Sequence, residues 1–230
     1  MKPGDVLSHR EMCVAENSSL QRGMNFRSRG RPNIILMSTR PGAPYRDRLE
    51  GDGRILIYEG HDTPRNLTAR DTKTIDQPEV SPSGKPTQNG MFFNAAKRAK
   101  AGEPPERVRV YEKIKDGIWT FNGVFLLTDA WRESDGHRQV FKFRLELQDS
   151  EIVADDDRAH TELEHSRLIP SAVKLEVWKR DGGRCCLCGS SDNLHFDHDL
   201  PFSKGGTSLS ARNIRLLCRR HNLQKRDRIE

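Results

Sequence analysis

Two short cysteine spacings restrict this chain more than any other feature. Cys185 and Cys188 form a C-x-x-C pair, and Cys218 and His221 follow as C-x-x-H. Two such knuckles bring four nitrogen and sulfur donors into a tetrahedron, the geometry of a closed structural zinc site. A segment this small has little core of its own, so the zinc is expected to supply much of its folding energy. Cys186 is out of register with the pair, and Cys13 stands far away near the start; both are expected to be free thiols. Four of the five cysteines cluster in a chain whose first residues lack the apolar core of a signal peptide. That favours metal over disulfides and a cytoplasmic location. No apolar run approaches the roughly twenty residues that would cross a bilayer, so no membrane role is expected.

Between and after the knuckles stand Asp197-His198 with Pro201 three residues on, the turn Gly205-Gly206, Asn213 ahead of Leu216-Leu217-Cys218, and Asn222 with Lys225 three further on. Together these spacings resemble the HNH (ββα-metal) nucleases over about residues 168–230. Phosphodiester hydrolysis needs a base for the water, a cation for the developing charge, and basic groups to hold the backbone. An imidazole titrates near neutral pH, so His198 suits the base. The resemblance implies that Asp197 and Asn222 hold one Mg²⁺ (or Mn²⁺), as oxygen donors for a hard cation. It also implies that Asn213 orients the His198 ring by accepting from its Nδ1–H. Lys225, Arg226, Arg212 and Arg215 either contact phosphates or form a solvated face. His195 is either a ligand or a hairpin residue facing solvent. Pro170-Ser171 starts a helix through Arg180, with Val173 and Val177 one turn apart, and Gly182-Gly183 ends it.

Charge supports a polyanionic partner. The chain carries 39 Lys and Arg against 33 Asp and Glu, a net charge of +6. Within residues 171–230 there are twelve basic and seven acidic residues, so nearly all of the excess lies there.

Upstream, apolar runs at residues 34–37 and 54–58, 108–111, 123–127 and 140–147 read as strands, the last with strict alternation. Residues 91–100, with three alanines and spaced apolar positions, suit one short helix. Residues 149–167 contain Asp155-Asp156-Asp157 and few apolar residues, and read as a linker. The expected fold class is α+β: a mostly-β unit over 1–148 and a small zinc-stapled module over 168–230.

Feature order in the first unit resembles the SRA (YDG) domains, which bind modified cytosine in DNA and flip the base into a pocket. The resemblance runs through Lys2-Pro3-Gly4-Asp5-Val6, Asn33–Leu36, Tyr45-Arg46-Asp47, Ile57-Tyr58-Glu59-Gly60, Gln88-Asn89-Gly90, Arg107–Tyr111, Asp116-Gly117-Ile118-Trp119, Trp131 and Val140–Leu145. It implies Tyr45 and Tyr58 as the pair stacking on the flipped base, and Asp47 as acceptor for the cytosine amino group. The whole chain thus reads as a modification-dependent restriction endonuclease acting on double-stranded DNA with 5-methylcytosine or hydroxymethylcytosine, working as a homodimer. The alternatives are an HNH nuclease with a reader for DNA shape or RNA, and a catalytically silent zinc-containing DNA-binding protein.

Overall fold

The computed structural model describes residues 1–27, 30–148, 168–200 and 205–225. The expected linker over 149–167 and the expected phosphate contact Arg226 lie outside them. Among the described residues no helix is long and apolar enough to cross a membrane.

The fold is α+β. Eight strands form the main sheet: β1 (Val6–Ser8), β2 (Met24–Asn25), β3 (Asn33–Met37), β4 (Arg48–Glu50), β5 (Ile55–Glu59), β6 (Arg107–Lys115), β7 (Ile118–Ser134) and β8 (Gln139–Leu147). They lie in the order β2-β3-β6-β7-β8-β5-β4, with β1 paired to β7, and only β3 and β6 run parallel. Alternation in β8 drives Phe141, Phe143 and Leu145 into the core. The helix α2 (Gln88–Lys100) lays Phe92, Ala95 and Ala96 on that sheet. It starts earlier than the alanine pattern predicts, because the Thr87 hydroxyl caps it by accepting from Gly90 N–H. A helix that hydrophobic periodicity missed, α1 (His9–Ala15), opens on a capping box of Ser8 and Glu11 and buries Met12.

The second unit consists of α3 (Ser171–Arg180), the antiparallel hairpin β9 (Leu194–His198) and β10 (Ile214–Cys218), and α4 (Arg219–Lys225). Val173 and Val177 of α3 pack on Leu194, Phe196, Ile214 and Leu216, as their spacing predicts. The same core also takes in Ile114, Val6 and Ile118 of the first unit. Packing therefore runs across the boundary expected near residue 168.

Candidate functional site

The two knuckles close on each other. Cys185, Cys188, Cys218 and His221 present ligand atoms that all lie within 4.8 Å of one another. Cys188 Sγ and Cys218 Sγ are 3.8 Å apart, and His221 Nδ1 stands 3.3 Å from Cys185 Sγ and 3.4 Å from Cys218 Sγ. A tetrahedron with Zn–S bonds of ~2.3 Å has sulfur–sulfur edges of roughly 3.8 Å, so these residues fit a zinc ion. Burial works against ionisation of Cys185, but backbone donors around it and His221 bring its thiol down to about 6. Cys186 lies outside the cluster, exposed, and Cys13 is half-buried beside His9; both are free thiols.

Asp197 and His198 end β9, opposite Arg215 and Ile214 of β10. His198 Nε2 is 2.7 Å from Ser208 Oγ. Lys225 reaches back from α4 to this point, its Nζ donating to Asp197 Oδ2 at 2.6 Å and to the His198 carbonyl. Asn222 lies three residues before Lys225 on the same helix. The strand end and the helix thus bring Asp197, His198 and Lys225 together.

Three expectations for this site need correction. Lys225 is almost fully buried and bound to Asp197, so it is no free phosphate contact. Asn213 does not orient the imidazole: its Nδ2 donates to the carbonyls of Leu200 and Thr207, and its Oδ1 accepts from Leu200 N–H. With both donor hydrogens and one acceptor site spent, the side chain holds the loop that follows β9. His195 does not face solvent: its Nδ1 is 3.0 Å from Asp5 Oδ1 in the first unit. Of the remaining basic residues, Arg212 is exposed and Arg215 pairs with Asp199 at 3.2 Å.

In the first unit a cavity of about 800 Å³ is lined by Tyr45, Asp47, Tyr58, His61, Arg40 and Trp119, among others. All three residues expected in a base pocket therefore share one cavity. Asp47 is held by two backbone donors, Ser38 N–H at 3.0 Å and Glu59 N–H at 3.1 Å. Burial raises its carboxyl to about 7 against the pull of those donors. Tyr58 is buried, and its hydroxyl is 3.1 Å from His61 Nε2.

The ring stacked on Tyr45 is that of His61, with centroids 5.4 Å apart and planes inclined by 19°. Sequence reasoning did not single out His61. Its signal was its place just past β5, in Tyr58-Glu59-Gly60-His61, where the chain leaves the sheet beside the cavity. Burial lowers the His61 imidazole to about 4, so the ring is neutral. Gly23 leaves room for this pair, as a Cβ there would come within 2.6 Å of the Tyr58 hydroxyl. Beyond it, Asp62 is tied to Arg138 at 2.6 Å and to Lys73 at 2.8 Å, which anchors the segment after β5.

No protein-family model matches the chain, and no curated protein matches it. Among solved structures it is similar to the SRA domain of SUVH5 in complex with hemi-methylated CG DNA, at 24% identity and a TM-score of 0.43, over 64% of this chain and 89% of that one. It is similar to the SUVH5 SRA bound to fully hydroxymethylated CG DNA, at 22% identity and a TM-score of 0.44, over 62% and 85%. It is also similar to Arabidopsis thaliana SUVH6 in complex with SAM, at 20% identity and a TM-score of 0.43, over 64% of this chain and 26% of that one.

Proposed function

We propose that this protein is an endonuclease that takes a modified cytosine of duplex DNA into the cavity of its first unit and hydrolyses a phosphodiester bond nearby. One observation supports the reading: the hairpin and helix that carry a cysteine and histidine cluster of zinc dimensions also hold Asp197 and His198, at the end of β9, against α4, the helix that bears Asn222. In this reading His198 takes the proton of the attacking water. Asp197 and Asn222 would hold a divalent ion such as Mg²⁺, which supplies positive charge to the developing phosphorane. The zinc cluster holds α4 against β9 and so keeps Asn222 at the site.

The reader half rests on chemistry that suits a flipped base. Aromatic rings of Tyr45, Tyr58 and His61 offer flat faces, and Asp47 offers an acceptor for an exocyclic amino group. Duplex DNA with 5-methylcytosine or hydroxymethylcytosine is the proposed substrate, and a homodimer the proposed acting form.

A second reading, DNA binding without hydrolysis, is favoured by Lys225, whose ammonium already neutralises one Asp197 oxygen. Matched plasmids carrying unmodified, methylated or hydroxymethylated cytosine, incubated with Mg²⁺ or Mn²⁺, separate the two. Cleavage of modified plasmid alone is expected. Binding with no cleavage under either ion would leave the silent reading, and equal cleavage of all three would remove the modified-base specificity.

A further inference from the structure

The boundary near residue 168 is crossed by an ionic contact with almost no exposed surface. Lys174 projects from α3, and its Nζ donates to Glu112 Oε2 of β6 and to Asn122 Oδ1 of β7, both at 2.8 Å. Asn122 Nδ2 completes the triangle by donating to Glu112 Oε2 at 3.1 Å. Lys174 and Glu112 are each 1% exposed and Asn122 is fully enclosed. Such a buried pair adds little net stability over an apolar contact, but it is costly to break from one side and accepts a single geometry. It therefore selects one placement of α3 on the sheet.

A second joint lies at the start of the chain. Phe196 N–H of β9 donates to the Gly4 carbonyl at 3.1 Å, while Gly4 N–H donates to Phe121 O at 2.8 Å and Phe121 N–H to Asp5 O at 2.9 Å. Asp5 forms a bridge with His195 through the backbone and a hydrogen bond through the side chain. Gly4 has a φ of +97°, and a Cβ there would stand 3.0 Å from the His195 ring. These few residues are thus hydrogen-bonded to β7 on one side and to β9 on the other.

The same backbone continues to both candidate sites. From Asp5 the chain passes along β1, paired with β7 at Leu7 and Trp119, to His9; Trp119 and His9 line the cavity. From His195 it is three residues along β9 to His198. At ~3.4 Å per extended residue, the path from His9 to His198 is at most roughly 30 Å. That is about nine base-pair steps of DNA at ~3.4 Å each.

We propose that the second unit is clamped to the sheet as one rigid body, and that this clamp fixes the distance from modified base to cut bond. Lys174, Glu112 and Asn122 act as positioning residues, and the length of chain between 148 and 168 has no part in the distance. This inference rests on the function proposed above.

The test uses full-length proteins on a duplex with one 5-methylcytosine pair at a known position: wild type, a variant with about ten Gly and Ser residues inserted between Arg158 and Ala159, and Lys174→Glu. Cut positions are mapped on each strand, and hydrogen exchange is followed at the Phe121 and Phe196 amides. The insertion should leave the cut positions within about one nucleotide of wild type, and Lys174→Glu should spread them over about five or more. Both amides should stay protected in wild type and insertion, and exchange at least about tenfold faster in Lys174→Glu. Should Lys174→Glu not fold, Gly4→Ala opens the other joint and takes its place.

Cuts that move or spread with the insertion overturn the clamp. So do Phe121 and Phe196 amides that exchange as fast in wild type as in the opened variant. If nothing is cleaved, the proposed hydrolysis has failed, and amide exchange by itself decides whether the units are clamped.

Discussion

Burial raises the Asp47 carboxyl to about 7, while the same group in an unfolded chain titrates near ~3.9. Between those values the folded protein holds a proton that the unfolded chain has released. The stability from this group is therefore fully present below about pH 4 and lost as pH rises through about 7. In the proposed function base binding has the opposite slope, because the ionised carboxylate is the stronger acceptor for a cytosine amino group. Affinity for a methylated duplex is expected to rise between pH 6 and pH 8 by about tenfold and to become flat in Asp47→Asn; anisotropy titrations across that range check it, and a flat wild-type profile removes Asp47 from base contact. At the other site, His198→Ala is expected to lower cleavage by about 10²–10⁴ with zinc content and DNA affinity retained. Quantitative cleavage with metal analysis decides this, and more than about a tenth of wild-type rate would end the base assignment. Residue types with a fixed chemical demand were legible in the sequence, including the four clustered cysteine and histidine residues and the Tyr45, Asp47 and Tyr58 of the cavity. The partners of Lys225, Asn213 and His195 were not, because each bond joins residues from distant stretches or competing backbone groups that spacing does not reveal.

Helix α4 begins directly after Cys218 and contains His221, Asn222 and Lys225 within seven residues. A seven-residue helix is too short to persist in water by itself; the Lys225–Asp197 bond holds it, and a metal in the cysteine and histidine cluster would hold it further. Cys188→Ser is therefore expected to release the metal and unfold β9, β10 and α4 together. The β-sheet of the first unit should keep its structure and its affinity for modified DNA. Metal analysis and amide exchange of the variant test this, and a zinc-free wild type would refute it. Elements were legible where local pattern and tertiary environment agree, as in β8 and α3. They were missed where the code is capping or long-range pairing. The box Ser8-His9-Arg10-Glu11 marks α1 without any hydrophobic period. β7 runs 17 residues, well past its apolar stretch, because its first part pairs with β6 and its last part with β8.

For the whole molecule, the proposed function has one site hydrolysing one strand, so a double-strand break is expected to require two copies. Two-fold pairing is the commonest way to place a second identical site on the antiparallel strand. Sedimentation alone and on a methylated duplex, with strand-resolved cleavage, is expected to show a dimer on DNA and linear product; a monomer leaving nicked circles would refute it. The sequence by itself determined the α+β class, the four residues of the cysteine and histidine cluster and three residues of the cavity. Each of these depends on local spacing or on residue chemistry that few alternatives satisfy. Only the tertiary structure decided that the two units share a core, that Lys174 is buried against Glu112 and Asn122, and that Asp5 meets His195. A lysine on a helix with a polar neighbour reads as solvated in any window of sequence. Its burial is set by two strands more than fifty residues away, whose carboxylate and amide make desolvating the ammonium tolerable.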